Sequence, residues 1–359
     1  MLSKKTFLFL SILILFIIAA VIYFQSRNDP NYELPFEIAA PPPGAINAKD
    51  HGAYGDGKKD DTQAISEAIS TANKLGGGTV YFDNGTYIVS KKINVPKNVS
   101  LYGANSENTT ITRQDGEDQE IFSLSGNQTV QNLSIISNIG INILGDNISI
   151  HQTKFRCVLQ AIQMFNKTSG LIIKQAEFTE SGYGILSNNE ASNNVRILDS
   201  KFHNILYDGI EINTPSDNWI IENCIFDNNI SKSEWAGFGV GVAKKAKNIT
   251  IKNSKFTNII GQAVHVEDYA EVWVIGSVFE NNGGVKYKGS PTADIAVLSN
   301  GVVTIKNSLF NESSADYSDL AIYNTDLPVG GHAYVTNSTF NNKRISKTVN
   351  HEQNNFLNE

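Results

Sequence analysis

Residues 171–202 read LIIKQAEFTESGYGILSNNEASNNVRILDSKF and contain two copies of one short pattern. In each copy an apolar, strand-like segment leads through a polar turn to a phenylalanine, which is Phe178 in the first copy and Phe202 in the second. A regular spacing of this kind predicts a solenoid, in which every repeat is one structural unit. The same marker recurs 23 to 31 residues apart at Phe155, Phe178, Phe202, Phe226, Phe256, Phe279, Phe310 and Phe340.

Short alternating segments flank these phenylalanines, such as residues 302–305 (VVTI) and 263–266 (AVHV). Alternation with a period of two predicts strands with one buried face. Each strand is too short to bury that face alone, so we expect successive coils to stack Phe on Phe in one interior column. The variable spacing favours a β-helix over leucine-rich or helical repeats, and the many Asn residues suit left-handed turns. The sequence therefore predicts an all-β, single-stranded parallel β-helix over residues 45–345, followed by a tail over 346–359.

A parallel coil leaves the apolar end of its first turn open, and the sequence offers a helix to cover it. Asp60 or Asp61 is the candidate N-cap, and Gly76–Gly78 ends the helix. The apolar face of this short capping α-helix is predicted from residues at near-helical spacing, namely Ile65, Ile69, Ala72 and Leu75.

The N-terminus is predicted to lie outside this fold. Lys4 and Lys5 precede an uninterrupted apolar run over residues 7–24, which as a helix would be ~27 Å long and close to the thickness of a bilayer. We expect residues 1–24 to be a transmembrane signal anchor that places the body outside the cytoplasm, in the periplasm or at the cell surface. Cleavage of this segment would instead give a secreted protein. The Pro-rich residues 25–44 are predicted to be a spacer.

Composition restricts the classes of partner. The 359 residues carry a formal net charge of -7, which gives no basic field for nucleic acid. A neutral or weakly charged polymer is the easier partner. An acidic polymer is not excluded, because lysines cluster locally. Cys157 and Cys224 fall about three coils apart in this register, or roughly 14 Å. That separation is too long for a disulfide, so both thiols are predicted to be unpaired.

Four N-terminal motifs resemble a known signature: HGAYGDG at 51–57, DDTQAI at 60–65, GGTVYF at 77–82 and GTY at 85–87. Together they look like the start of the pectate-lyase-like superfamily of rhamnogalacturonase, epimerase and phage tailspike β-helices. The resemblance implies a right-handed coil and action on, or binding of, polysaccharide, but it transfers no mechanism. Calcium enters only by this analogy, and the sequence itself predicts no cofactor or metal. The oligomeric state stays open.

One outward column of the predicted coil carries candidate chemistry. Alignment on the phenylalanine marker places Glu211, Gly241 and His265 in the same column on successive coils, with small residues over 237–241 as a groove floor. Two strands separate Glu211 from His265 by about 10 Å. Carboxylates several ångströms apart suit glycosidic cleavage, and a histidine beside carboxylates suits proton abstraction next to a uronate carboxyl group. The ordinary alternative is that Asp208 holds a turn and the others are solvated.

The predicted site residues fall into two groups. The catalytic candidates are Asp208, Glu211, His265 and Glu267. The substrate-binding candidates are Tyr183, Trp235, Phe238, Lys244, Gln262 and Asp268. A polygalacturonase mechanism is disfavoured, because residues 237–239 read GFG where that family carries paired aspartates. The sequence thus predicts a polysaccharide lyase, hydrolase or epimerase, with a non-catalytic carbohydrate-binding or scaffold β-helix as the alternative.

Overall fold

The chain folds as a parallel β-helix, a coil whose turns stack along one axis. The computed structural model describes residues 40–113, 116–231, 236–284, 292–324 and 330–357. Each turn contributes short strands to parallel sheets, and each strand pairs with the strands of the turns before and after it. Stacking satisfies the backbone N–H and C=O groups along the axis, so strands of three to six residues are stable that would not be stable alone.

Sheet A contains one strand from every turn, 13 in all, and follows the chain order without a crossover. Its strands are Ile46–Asn47, Gly78–Phe82, Val99–Gly103, Gln128–Gln131, Ile148–His151, Ile172–Lys174, Val195–Leu198, Asp217–Glu222, Lys247–Lys252, Glu271–Ile275, Val302–Lys306, His332–Thr336 and Asn350–Glu352.

The other two strand positions of each turn form sheets B and C. The strands of sheet B are Asp56–Asp60, Gly85–Ile88, Thr109–Thr112, Glu177–Thr179, Lys201–His203, Ile225–Asp227, Lys255–Thr257, Val278–Glu280, Leu309–Phe310, Thr339–Asn341 and Asn355–Leu357. Those of sheet C are Ile93–Val95, Glu120–Leu124, Tyr183–Asn188, Ile210–Asn213, Val240–Val242, Val264–Val266, Ile295–Val297, Leu320–Asn324 and Arg344–Ile345. Two long strands, Ser134–Ile143 and Lys154–Met164, run from sheet B into sheet C. Thr168–Ser169 pairs separately with Ser192–Asn193.

The interior column of phenylalanines is confirmed. The eight predicted rings are fully buried, and successive rings stack with centroids 4.5 to 5.2 Å apart and planes within 3 to 10° of parallel. This separation follows from the spacing of neighbouring strands, about 4.8 Å. Phe356 adds a ninth ring, 4.9 Å from Phe340. Strands therefore continue past residue 345, where the sequence analysis ends the repeat, and the last turn includes part of the predicted tail.

Asparagines occupy the bends, as their turn preference predicts. Asn98, Asn127 and Asn147 all have a positive φ, the left-handed conformation that Asn tolerates best after Gly. Their side chains form a ladder along the coil: Asn147 donates to Asn127 over 3.3 Å, and Asn127 donates to Asn98 over 3.2 Å. The turns are therefore fixed by side-chain bonds between coils as well as by backbone conformation.

The capping helix α1 covers Thr62–Lys74 and follows Asp61, which occupies the N-cap position. It buries Ile65, Ala68, Ile69 and Ala72 against the first turn. The inclusion of Leu75 in the buried face was wrong: the helix ends before it, and its side chain is 74% exposed. Three glycines with positive φ, Gly76 to Gly78, then turn the chain into sheet A, as predicted.

The two adjacent aspartates before α1 have separate tasks. Asp60 accepts a hydrogen bond from the Thr62 N–H over 2.9 Å, which is the capping role. The buried Asp61 accepts from the N–H groups of Tyr54 and Gly55 over 2.6 and 3.2 Å, and so fixes the loop before the first full turn. The recognised N-terminal motif therefore builds the cap rather than a reaction site.

Two further predictions concern the termini and the thiols. The predicted anchor over residues 1–24 and most of the spacer over 25–44 lie outside the described residues. Within the described part of the chain, no helix has both the length and the hydropathy needed to cross a membrane. Cys157 and Cys224 are unpaired and buried, as predicted, and burial raises the pKa of both thiols to about 12.

Candidate functional site

Sheet C brings three predicted site positions into one outward column. Glu211 pairs with Gly241, and Gly241 pairs with His265, so the predicted register is confirmed. Ile210 and Ile212 on either side of Glu211 are fully buried, which leaves the Glu211 side chain on the outer wall. At about 4.8 Å per strand, the Cα atoms of Glu211 and His265 are roughly 10 Å apart.

Gly241 allows the acidic side chain to lean along this column. A Cβ atom at position 241 would lie 2.6 Å from Oε2 of Glu211, a separation that real Cβ atoms do not show. The Glu211 carboxyl group therefore covers the bare backbone of Gly241, on the strand between those of Glu211 and His265. This leaves a gap of roughly one strand spacing, about 5 Å, between the carboxyl group and the histidine strand.

Asp208 and Glu211 form a carboxyl–carboxylate pair. Asp208 is 2% exposed, and its Oδ1 accepts hydrogen bonds from the N–H groups of Gly237 and Phe238 over 2.8 and 2.7 Å. Burial, followed by the negative charge of Asp208 and the hydrogen bond to it, raises the pKa of Glu211 well above its usual range. Because the two N–H donors stabilise the charged form of Asp208, we assign the shared proton to Glu211.

The histidine of the column is held from three sides. His265 is 8% exposed, and its ring stacks on Phe238 with centroids 4.4 Å apart and planes 9° from parallel. Its Nδ1 lies 3.1 Å from the amide oxygen of Gln262, an acceptor, so Nδ1 carries the hydrogen. Its Nε2 lies 3.5 Å from Oε2 of Glu267.

Glu267 is an ionised partner of this histidine. The hydrogen bond from His265 lowers the pKa of Glu267, so a carboxylate lies beside Nε2. The Glu211 carboxyl group, over Gly241, and the His265 ring thus lie in one outward column, with Phe238 packed next to both.

Tyr183 lies beside the carboxyl pair on the neighbouring coil. Burial, followed by the charges of Asp208 and Glu211, raises its pKa, so the phenol is neutral and able to donate. Its ring stacks on Tyr207 with centroids 5.1 Å apart. The sequence analysis missed Tyr207, although its distance of 24 residues from Tyr183 repeats the distance from Phe178 to Phe202.

The remaining predicted binding residues lie near the site, where their contacts are mainly structural. Phe238 is 8% exposed and its ring packs on His265, and Gln262 is 1% exposed and orients the same ring, so both serve the histidine rather than a sugar. Lys244 sits in a left-handed turn with its Nζ 3.0 Å from Asp268, so these two charges satisfy each other at the edge of the site. Trp235 lies outside the described residues.

The cluster offers little to calcium, which the fold family suggests by analogy. Burial and the charge of Asp208 raise the pKa of Glu211, whereas a calcium site needs ionised carboxylates. Among the described residues, no group of three or more His, Cys, Asp or Glu side chains has the geometry to hold a metal ion. The chemistry considered below therefore uses only side chains of this chain.

Curated relatives of this chain include proteins named as an alginate lyase and a mannuronan epimerase. Alginate lyase 7 of Azotobacter vinelandii is 45% identical over 82 residues, which are 21% of this chain and 10% of the relative. Mannuronan C5-epimerase AlgE3 of the same organism is 26% identical over 284 residues, which are 74% of this chain and 14% of the relative. The chain thus spans between a tenth and a seventh of the length of these two relatives.

The fold is shared with solved structures. The catalytic unit of the GH87 α-1,3-glucanase from Streptomyces thermodiastaticus superposes with a TM-score of 0.60 at 15% identity, covering 89% of this chain and 69% of the glucanase unit. At that identity the likeness shows the fold alone. The model of the rhamnogalacturonase A/epimerase, pectate lyase-like family matches residues 45–288, which include the capping motif, the carboxyl pair and His265. The chain belongs to this family of right-handed β-helices.

Proposed function

We propose that the chain is an enzyme that acts on a polysaccharide by acid–base chemistry, with Glu211 as the acid and His265 as the base. The observation that carries this proposal is geometric: the Glu211 carboxyl group lies over Gly241, on the strand next to that of His265, and Glu267 lies 3.5 Å from His265 Nε2. Burial and the neighbouring Asp208 raise the pKa of Glu211, which suits a proton donor. A side chain with its pKa moved toward neutrality beside an oriented partner is what general acid–base catalysis uses. The relatives named as an alginate lyase and a mannuronan epimerase support polysaccharide as the class of substrate.

The site suits a sugar unit that carries a carboxylate. To act as the base, His265 Nε2 would have to be unprotonated and turned from Glu267 toward the substrate; it would then withdraw the proton next to the uronate carboxyl group, and Glu267 would stabilise the imidazolium that results. Glu211 would then deliver its proton to the leaving glycosidic oxygen, which gives elimination. Delivery of the Glu211 proton to the carbon that has lost its proton, on the opposite face of the sugar, would instead give epimerisation. In a hydrolase the same two groups would protonate the glycosidic oxygen and activate a water molecule.

We further propose that the body acts outside the cytoplasm, tethered by residues 1–24 and spaced from the membrane by residues 25–44. The support is the charge and hydropathy of the N-terminus, with two lysines before an apolar run that ends at residue 24. Membrane fractionation, followed by protease treatment of cells whose outer envelope has been removed so that only the cytoplasmic membrane is intact, tests the tether. Protection of the body from the protease would contradict it.

A product assay tests the proposed reaction. The protein is incubated with a panel of neutral and uronate-containing polysaccharides, and three signals are followed: absorbance of unsaturated uronate, reducing ends, and the proton NMR signals of each uronate epimer. Unsaturated ends identify a lyase, reducing ends alone a hydrolase, and a changed epimer ratio without cleavage an epimerase. Absence of all three signals over the whole panel would contradict an enzymatic function.

A second candidate is a non-catalytic carbohydrate-binding β-helix. The observation that favours it is the confinement of His265, which is 8% exposed and has protein partners at both ring nitrogens. Such a protein would retain a polysaccharide of the panel in a binding assay and release no product. The acid–base account requires product from the same polymer.

Substitution of Gly241 tests whether the bare position matters for activity. Gly241→Ala places a methyl group where Oε2 of Glu211 now lies, so the carboxyl group must move away from His265. Because displacement of a catalytic group by about 1 Å costs on the order of 100-fold in rate, we expect a fall in kcat of about 10- to 100-fold. Steady-state kinetics measures it, with thermal unfolding as the control for folding. Unchanged kcat in a folded variant would show that Glu211 needs no room over position 241.

A further inference from the structure

A second feature of the outer wall is a cavity of about 330 Å³ in the coils that precede Tyr183. Its lining includes Arg113, Ile136, Arg156, Val158 and Glu180. These residues lie where the chain passes from sheet B to sheet C, either within the two long strands or just after a strand of sheet B, and Asp208 lies in the same passage of its own turn. The strand register links the two regions, because Gln160, four residues after Arg156, pairs with Tyr183.

The cavity combines cationic and apolar groups. Arg113 is only 8% exposed, so one guanidinium group is built into the wall rather than extended into solvent. The Arg156 side chain is 60% exposed and forms an ion pair with Glu180. The charged lining thus carries two positive groups and one negative group, in a chain with a net charge of -7. A guanidinium group matches a carboxylate with two parallel hydrogen bonds, which favours an anionic ligand.

Apolar side chains border the same opening. Ile136 and Val158 are 37% and 58% exposed. Ile136 pairs with Arg156 on the next strand, and Val158 lies two residues after Arg156 on that same strand. Exposed aliphatic groups beside a guanidinium group suit a ligand with an apolar face and a carboxylate, which describes a uronate ring better than a phosphate or a free small anion.

The distance from this cavity to Glu211 suits a chain of sugars. The coil of Arg156 lies two turns before that of Glu211, since Phe155, Phe178 and Phe202 mark successive turns. Thr112, which precedes Arg113, pairs with Ile136, and Ile136 pairs with Arg156. Thr112 therefore lies two strands further from Glu211 than Arg156 does. The cavity is therefore about 10–20 Å from Glu211 along the coil axis, and the stacked Tyr183 and Tyr207 lie between them.

We propose that this cavity is a distal subsite for the carboxylate of a uronate unit, in an acidic polysaccharide whose chain continues along the wall to Glu211. This inference rests on the proposed function, because it takes the ligand to be the polymer that reacts at Glu211. Its consequence is a dependence on length: a short oligomer held at Glu211 cannot reach the cavity, whereas a longer one binds at both places.

Calorimetric titration of the full chain with uronate oligomers of defined length tests the subsite. We expect a hexasaccharide to bind more tightly than a disaccharide, and Arg156→Gln to weaken only the hexasaccharide, by about 10-fold or more, as loss of a charge-assisted hydrogen bond implies. Val158→Asp, at an exposed position, is expected to weaken it as well through charge repulsion. Arg196→Gln is the matched control, since Arg196 is exposed on sheet A, and it should leave both affinities unchanged.

The outcomes separate the subsite from the proposed reaction. If both cavity variants bind the hexasaccharide like the unmodified chain while Glu211→Gln stops product formation, the subsite is wrong and the function stands. If no polymer yields product but both cavity variants weaken the hexasaccharide selectively, the subsite stands and the catalytic proposal is wrong. Equal affinity for short and long oligomers in the unmodified chain would overturn the subsite.

Discussion

Replacement of Glu211 by Gln is expected to lower kcat on a uronate-containing polymer by about 10²–10⁴-fold, the usual contribution of a general acid or base. The amide keeps the size of the side chain and fits over Gly241, but it has no proton to transfer. The change should leave KM nearly unaltered, because the group acts on the transition state rather than on binding. Initial rates with the polymer that the product assay identifies measure the effect.

The same variant makes a prediction about pH. Glu211 acts in its protonated form, so activity should fall as pH rises through its raised pKa, and this alkaline limb should disappear from the residual activity of Glu211→Gln. Glu271→Gln is the matched control: Glu271 lies on sheet A and pairs with Lys247, away from the site. Retention of full turnover by Glu211→Gln would remove Glu211 from the mechanism.

Replacement of Lys343 by Met is expected to destabilise the fold by about 3–5 kcal/mol, the cost of leaving a buried charge without its partner. Lys343 Nζ lies 2.8 Å from Oδ2 of Asp294, and both side chains are fully buried. The ammonium group also donates to the carbonyl oxygen of Ser318 over 2.8 Å, and Asn282 donates to Asp294 over 3.0 Å. Methionine fills a similar volume, so the loss would come from the charge. Chemical denaturation measures the free energy of unfolding.

Two comparisons separate this charge effect from packing. Lys347→Met changes an exposed lysine in the same turn and should stay within about 0.5 kcal/mol of the unmodified chain. Addition of Asp294→Asn to Lys343→Met removes the orphaned charge and should recover most of the loss. If the double variant is no more stable than Lys343→Met alone, the destabilisation does not arise from an unpaired carboxylate.

The buried pair also gives a direction for the dependence of stability on pH. Burial raises the pKa of Asp294 to about 6, despite the favourable charge of Lys343. The folded state therefore holds a proton on Asp294 at pH values where the unfolded chain has lost it. By linkage, the contribution of this group to stability is largest below the unfolded pKa and declines as pH rises toward and through about 6.

The repeating part of the structure was predictable because it repeats. Phe178 and Phe202 occupy equivalent positions in successive turns, so one residue type that recurs once in each turn predicted the column, the strands around it and the register of sheet C. The alignment of Glu211 with Gly241 and His265 followed from that register. Leu75 shows the limit of the helical pattern at the cap, because its spacing fits the buried face but the chain leaves the helix before it.

The interactions that prepare the site do not repeat and could not be predicted in the same way. Asp208 accepts hydrogen bonds from the backbone of Gly237 and Phe238, across a connection that is longer than those of its neighbours. The proton that Asp208 shares with Glu211 depends on the burial of both groups, and the spacing of residues in the sequence does not reveal burial. Asp294 and Lys343 likewise pair across two turns, and neither residue is part of the repeated phenylalanine pattern. The period of the repeat predicted which residues share a column on successive turns. Burial determines which polar groups interact with each other.

The protonation state of Glu211 is the most direct test of this account. A pH titration of the carboxyl ¹³C resonances in glutamate-labelled protein, with Glu211 assigned by the signal that Glu211→Gln removes, reports it without any substrate. We expect Glu211 to keep its proton at pH values where an ordinary glutamate has lost it. Titration of Glu211 in the ordinary range of a glutamate would contradict the shared proton, and with it the role of Glu211 as the acid.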